Sequence, residues 1–578
     1  KDSKKIAFVQ NNNIYVKTLA NNKTDQVTFD GVKNQIINGI TDWVYEEEFA
    51  FVKGYEWSSD SNKIAYLKFN ETEVPTFSMD IFGNALYPTP FNFKYPKAGE
   101  KNSKVTLHIA DLLSNASKEI VLDSYEYIPL LKWTNNSENV AVVTLNRHQN
   151  KLKLYTVNSN NSTKKLILEE NDSCYVDVDK IADIHFLKNN SFIIQSEKTG
   201  YNHLFHYNSS GKLIKQITKG NWDVTKFYGI DSKERKLFYQ SVEDGSIERT
   251  IYAINLNGKS KKLISKKTGT SDADFSSTKK YAIINHSDAS TPLSYSLFNG
   301  KKIIKEIANN KQLKEKLIPF NSSTKEFSEI ITDNGTFNMW MLKPTDFSSE
   351  KSYPLVMVQY SGPGSQSVSN SWNSYNDYWY HVLTQKGFIV ACVDGRGTGY
   401  KGAAFKKVTY KELGKYETID QIEAAKKLGA LPYINENAIA IWGWSYGGFM
   451  ASNCILKGAD VFNTAIAVAP VTSWRFYDSI YTERYMQTPE ENPEGYDMNS
   501  PLFHADKLKG NYLIIHGSGD DNVHMQNTYQ MTNALIQANK NFEQAIYPDR
   551  THGIYRGQNT RLHLFNKMTN YLEQHLKN

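Results

Sequence analysis

The sequence predicts two domains, a β-propeller over residues 1–317 and an α/β domain over residues 318–578. Three observations predict this. The first ~315 residues hold short alternating strands broken by Asn, Asp, Ser and Gly, with almost no helical spacing. Within them a strand–turn unit recurs at about the length of one four-stranded blade. From Leu317–Phe320 onward, strand-like and helix-like segments alternate, which means a largely parallel sheet covered on both faces. A chain of 578 residues is also too long for one hydrophobic core.

Composition removes several function classes. Hydrophobic residues make up 40% and charged ones 22%, an ordinary balance for a folded chain. The net charge of +6 is small for this length and the lysines are scattered, so a nucleic-acid partner is not expected. The 36 tyrosines favour a β-rich half. Cys174, Cys392 and Cys454 lie far apart and give no metal or redox spacing, and Cys392 and Cys454 sit in apolar runs typical of a core. No apolar run is long enough to predict a transmembrane segment. The chain opens at Lys1 inside a strand-like pattern, so it reads as a fragment or processed form whose targeting segment lies outside it. The Asn/Lys richness and absence of paired cysteines suggest a bacterial periplasmic or secreted, cell-envelope protein.

The repeat is clearest at Trp57-Ser58-Ser59-Asp60-Ser61-Asn62-Lys63-Ile64-Ala65-Tyr66 and at Trp133-Thr134-Asn135-Asn136-Ser137-Glu138-Asn139-Val140-Ala141. Weaker copies start near Phe186, Gly229 and Phe275. Later spacings are about 45 residues but the first is about 75, which predicts an insertion around Glu71–Lys104. About six blades' worth of sequence is present. Thr41–Phe49 breaks the strand pattern with three adjacent glutamates set between Trp43, Tyr45 and Phe49, a candidate cation-binding segment. In the second half, Phe337–Leu342, Pro354–Tyr360 and Gly387–Val393 read as strands. Thr418–Leu428 reads as a helix with Ile419, Ile422 and Ala425 along one face.

The chemistry centres on Trp442-Gly443-Trp444-Ser445-Tyr446-Gly447-Gly448-Phe449-Met450. An apolar strand, Ala438–Ile441, precedes it and a helix-like run follows, the setting that makes Gly-x-Ser-x-Gly a nucleophile elbow. A serine hydroxyl needs a base to remove its proton and an acid to orient that base. In α/β-hydrolases these follow in the order Ser, Asp, His. Asp520-Asp521-Asn522 follows one predicted strand and Thr551-His552-Gly553 another, both at strand carboxyl ends, where open sheets place their sites. His552 is the candidate base, with His516, His524 and His504 as competitors better read as strand-end or surface histidines. Asp520 is the candidate acid, and spacing alone does not separate it from Asp521. The oxyanion hole calls for two donors: the backbone N–H of Tyr446, next to the nucleophile, and the phenol of Tyr360 on the loop after an early strand.

Gly443–Gly448, Asp394-Gly395-Arg396-Gly397 and His552-Gly553 together resemble the prolyl oligopeptidase family of serine peptidases. Two stretches, Asp42-Trp43-Val44-Tyr45-Glu46-Glu47-Glu48 and Ala469–Trp474 with Tyr477–Met486, are similar to its dipeptidyl peptidase IV branch. The likeness covers essentially the whole chain. It implies a propeller capping an α/β-hydrolase, with Ser445, Asp520 and His552 as the triad and Tyr360 and Tyr446 as oxyanion donors. It implies that Glu47 and Glu48 grip the substrate's amino terminus, a charge-assisted contact that acts as a ruler. Tyr446, Val471, Trp474, Tyr477, Tyr481 and Val523 match the pocket for a penultimate proline, and Asn522 a contact to the substrate carbonyl. The propeller is about two blades shorter than the family's eight-bladed ring, and the early arginine that holds the same carbonyl would lie before Lys1, which fits a fragment lacking the first blades, the favoured reading, or a member that has lost this contact.

The resemblance thus implies a serine exopeptidase, usually homodimeric, that releases Xaa-Pro and Xaa-Ala dipeptides through an acyl-enzyme and calls for no metal or cofactor. The alternatives are a prolyl endopeptidase or acylaminoacyl peptidase, which Glu47 and Glu48 disfavour because such substrates offer no ammonium. A non-catalytic propeller binding protein is the alternative from another class.

Overall fold

The computed structural model describes residues 2–181 and 184–577. Six antiparallel sheets follow one another at residues 5–26, 36–120, 127–171, 185–216, 224–263 and 270–308. The first has three strands, the second five and the remaining four have four each in consecutive order, the up-and-down pattern of propeller blades. Buried faces of neighbouring blades share cores, as where Leu107, Ile109 and Phe69 of the second blade meet Val140, Val142 and Leu154 of the third. The repeated tryptophan joins blades by a specific bond, since Trp133 Nε1 donates to the Glu56 carbonyl at 2.9 Å.

Two departures from the blade pattern position the site. A six-residue helix, α1 (Trp43–Glu48), occupies the glutamate segment. Asp42 caps it by accepting the Tyr45 N–H at 3.1 Å, and the buried Tyr45 phenol accepts the Ile128 N–H, so α1 is pinned to the second and third blades. The expected insertion forms a hairpin of β1 (Thr76–Ile81) and β2 (Thr89–Lys94), and the chain leaves it along the other domain. Ala98 N–H donates to the Tyr477 carbonyl at 3.0 Å and Ser479 N–H to that of Pro96 at 2.9 Å.

The second domain is one eight-stranded sheet. Its strands are β3 (Glu326–Thr332), β4 (Gly335–Leu342), β5 (Tyr353–Val358), β6 (Ile389–Asp394), β7 (Ile434–Trp444), β8 (Thr464–Val468), β9 (Asn511–Gly517) and β10 (Glu543–Tyr547). Their spatial order is β3-β4-β6-β5-β7-β8-β9-β10, antiparallel at the β3–β4–β6 edge and parallel from β6 onward. Inner strands such as β6 and β8 are buried along their whole length, as expected for a sheet covered on both faces. Among the described residues no helix is long and apolar enough to cross a membrane.

One helix face meets the sequence expectation only in part: Ala425 is buried and Ile422 packs on the core, but Ile419 does not. The helix α2 (Tyr416–Gly429) leaves Ile419 exposed and buries Glu417, Asp420, Gln421, Ala424, Ala425 and Leu428. The cause is polar bonding: Tyr446 donates to Glu417, Arg396 to Asp420, and Gln421 to the Val393 carbonyl at 2.8 Å. Satisfied polar groups take places that apolar periodicity would give to isoleucine.

Candidate active site

Ser445 stands between β7 and the helix α3 (Tyr446–Lys457). Its φ of 59° and ψ of −118° lie in the left-handed half of backbone space, where a non-glycine residue is strained. The flanking glycines serve close approach rather than unusual dihedrals. A Cβ on Gly443 would lie 2.4 Å from the Gly447 backbone, and one on Gly447 would lie 2.6 Å from the Gln359 carbonyl oxygen. Strand, turn and helix can therefore fold this tightly only with glycine at both places.

The acid and base arrive from the ends of β9 and β10. His552 Nδ1 lies 2.7 Å from Asp520 Oδ2. Asp520 is 1% exposed and also accepts the N–H groups of Asn522 at 3.1 Å and Val523 at 2.9 Å, so its carboxylate is fixed in direction. Asp521 instead reaches Trp43. Burial would raise the Asp520 pKa, but the neighbouring His552 and His516 hold it well below the usual carboxylate range. Burial likewise works to lower the His552 pKa, and the Asp520 charge outweighs it and leaves the imidazole above its ordinary value. The Tyr360 phenol reaches the Ser445 side chain. Tyr446 is the first residue of α3, a position whose N–H has no acceptor within the helix. Both candidate donors thus adjoin the serine.

Of the competing histidines His516 lies at a strand end, as expected, while His524 and His504 are neither strand-end nor surface residues. His516 and His524 are fully enclosed and His504 nearly so. His516 bonds Thr528 Oγ1 and the Val523 carbonyl, both at 2.7 Å, and packs 3.3 Å from Asp520. His524 stacks on Phe77 of the insertion hairpin at 3.4 Å between centroids, and burial drives its pKa down to about 3. His504 bonds the Met498 carbonyl.

On one side of Ser445 four rings meet. Tyr446 lies 5.3 Å from Trp474, Trp474 stacks on Tyr481 at 5.6 Å, and Tyr477 is edge-on to Trp474 at 5.7 Å and to Tyr481 at 5.3 Å. Val471 and Val523 are buried in the same cluster. Facing this box from the propeller is α1. Asn522 Nδ2 donates to Glu47 Oε1 at 2.8 Å, which ties the glutamate helix to the acid loop. Glu47 is exposed; burial raises its pKa, and the His552 charge opposes that rise. Glu48 is pushed well above the ordinary value by burial and then by Asp478, with Arg484 opposing. Burial carries Asp478 itself up to about 7.

All thirteen residues singled out from the sequence fall within this one region, at the junction of the two domains. Three neighbours were not singled out. Asp478 and Arg484 sit against Glu48, with Arg484 Nη2 3.5 Å from the Glu48 carbonyl, and Glu417 accepts the Tyr446 phenol at 2.6 Å. Asp478 and Arg484 lie within the motif at Tyr477–Met486, so their signal was present; Glu417 carried none beyond its place beside a helical run.

Known proteins resemble this chain in sequence and fold. Residues 1–293 match the family described as "Dipeptidyl peptidase IV (DPP IV) N-terminal region", and residues 373–578 the "Prolyl oligopeptidase family". A "Probable dipeptidyl-aminopeptidase B" of Phaeosphaeria nodorum is 35% identical over 98% of this chain, and the chain spans 66% of that relative's length. The "Prolyl endopeptidase FAP" of Bos taurus is 34% identical over 99% of the chain and 78% of its own length. The crystal structure of Porphyromonas gingivalis dipeptidyl peptidase 4 superposes with a TM-score of 0.97 at 45% identity, covering all of this chain and 82% of that one.

Proposed function

We propose that this chain, which belongs to the prolyl oligopeptidase family in its dipeptidyl peptidase IV branch, releases N-terminal Xaa-Pro dipeptides from peptides as a serine exopeptidase. The observation that carries this reading is the Asn522–Glu47 bond of 2.8 Å. It ties the Glu47 carboxylate, whose neighbour on α1 is Glu48, to the loop bearing Asp520.

In the proposed reaction His552 takes the proton of Ser445 as the serine oxygen attacks the penultimate residue's carbonyl carbon. Asp520 keeps the imidazole in the right tautomer and stabilises its charged form. The tetrahedral oxyanion receives the Tyr446 N–H and the Tyr360 hydroxyl. His552 then returns the proton to the leaving amine, and water attacks the acyl-enzyme by the same route. The box of Tyr446, Val471, Trp474, Tyr477, Tyr481 and Val523 takes the flat proline ring and, with less contact, alanine. Asn522 would donate to the carbonyl of the first residue once the substrate's ammonium engages Glu47. Internal or acylated peptides offer no charge to offset bringing these carboxylates out of water.

A homodimer is also proposed. The insertion hairpin carries exposed Phe82, Leu86, Tyr87 and Phe91, an apolar tip suited to a second copy. The relatives named prolyl endopeptidase give a second reading, in which internal prolyl bonds are cut. Hydrolysis of Gly-Pro p-nitroanilide beside its N-acetylated twin separates the two. Turnover of the free amine alone is expected, and turnover of the acetylated form would refute the exopeptidase reading.

A further inference from the structure

Glu417 is a carboxylate that the reaction above leaves without a part. It lies in the first turn of α2, is 1% exposed, and stands directly behind Tyr446. Oε1 accepts the Tyr446 phenol at 2.6 Å and Oε2 accepts the Gly414 N–H at 3.0 Å. The guanidinium of nearby Arg396 goes to Asp420 instead, at 2.6 Å. Glu417 is thus held by a phenol and backbone amides, and burial pushes its pKa up to about 7.

Burying a carboxyl in this way is costly. A glutamine of the same shape could satisfy the phenol without that cost. What the carboxylate adds is a shorter and stiffer charge-assisted bond. The group so held is unusual in having two ends at the site. The Tyr446 ring packs 5.3 Å from Trp474 and 5.9 Å from Tyr360, and its N–H opens α3 beside the strained Ser445. A ring at the start of a helix, next to a residue with positive φ, is not fixed by the helix alone.

We propose that Glu417 is a positioning residue: by anchoring the Tyr446 phenol it sets the pocket wall for the penultimate side chain together with the direction of the Tyr446 N–H. This rests on the dipeptidyl peptidase reading for its substrates but not for its geometry. A Glu417 that served only to hold α2 on the sheet would change the amount of folded protein and leave substrate choice per active site as it was.

The test uses wild type, E417Q, E417L, Y446F and the E417Q/Y446F double variant, with active sites counted by fluorophosphonate labelling. Each is assayed on Gly-Pro and Gly-Ala p-nitroanilides. E417Q, which keeps a neutral hydrogen bond, is expected to lose roughly fivefold in kcat/KM on Gly-Pro. E417L should lose more, and in both the preference for proline over alanine should shrink. If Glu417 acts through the phenol, the double variant is no slower than Y446F alone. An unchanged proline preference in E417Q, or a double-variant loss equal to the product of the single losses, overturns the proposal. Should E417L fail to fold, E417Q and the double variant still decide. If wild type does not turn over Gly-Pro amide, the substrate reading fails. The proposal is then decided by the fluorophosphonate labelling rate of the folded protein, which falls in E417Q if Tyr446 is mispositioned and is unchanged if it is not.

Discussion

Replacing Glu47 and Glu48 separately by glutamine should give losses that differ in their pH dependence. Glu47 is exposed on its solvent side and bonded to Asn522, and partial burial raises its carboxyl pKa, with His552 opposing. Glu48 is pushed well above 4.5 by burial and by Asp478. Glu48 is the more strongly raised of the two, so as pH rises Glu47 is the first to present a charge to a substrate ammonium. A hydrogen bond to a charged group contributes about 1.5–3 kcal/mol, and solvent exposure places Glu47 at the low end. E47Q should then lose about tenfold in kcat/KM on Gly-Pro p-nitroanilide at pH 6. E48Q should cost less there, because burial and Asp478 favour the neutral form of Glu48. As pH rises, Glu48 ionises, and since an ammonium binds the carboxylate form better, substrate binding releases a proton. KM of the wild type should accordingly fall as pH rises toward the α-amino pKa of about 8. The E48Q penalty should grow over the same rise. The assay is kcat and KM across that range for the three proteins, with fluorophosphonate labelling rates as a control for the triad. An E48Q penalty that is flat with pH, or labelling that falls in parallel with turnover, would refute the reasoning.

Two further outcomes follow from the geometry. In D520N the largest influence opposing burial at His552 is lost and only Glu47 and Asp521 still oppose it, so its pKa drops and the acidic limb of kcat/KM moves to lower pH, while kcat falls about 10⁴-fold; a pH–rate profile with an unmoved limb would contradict this. In G447A the added Cβ meets the Gln359 carbonyl at 2.6 Å and displaces the strand end that carries Tyr360, so fluorophosphonate labelling should slow roughly a hundredfold; labelling at the wild-type rate would show that the elbow has room to relax.

How much was legible in the sequence depended on the range of the interaction. The elbow was legible because strand, glycine, serine, glycine and helix are contiguous, and the repeat because each blade is a local meander. The insertion showed as a spacing anomaly and proved to be the hairpin at Thr76–Lys94. The choice between Asp520 and Asp521 was not legible from spacing, because it is made by where a strand-end turn points two adjacent carboxylates: one to His552, the other to Trp43. The buried side of α2 was misread in part, for a related reason. Periodicity counts apolar residues, whereas Glu417, Asp420 and Gln421 are buried by partners on Tyr446, Arg396 and Val393 that are distant in sequence. His524 was misread as peripheral because its cover, Phe77, comes from the other domain.

The same long-range contacts bear on what sets the length of the released product. The glutamates belong to a helix fastened to propeller blades through Asp42 and Tyr45, and the serine belongs to the sheet of the other domain. Neither domain alone fixes the interval between them. The segment leaving the insertion hairpin does so, because it touches both. Tyr95 packs on Trp43 of α1 at 4.6 Å between ring centroids and donates its hydroxyl to the Asn522 carbonyl at 3.1 Å. A few residues on, Pro96 and Ala98 bond the backbone on either side of Asp478, between Tyr477 of the box and Ser479 at the start of the helix carrying Tyr481. Buried aromatic contacts and paired backbone bonds resist compression far more than a flexible linker does. In the proposed reaction a substrate's ammonium and its scissile carbonyl must therefore fit an interval set by the propeller insertion, which assigns selection for dipeptides to the interface between the domains rather than to the catalytic machinery of either one.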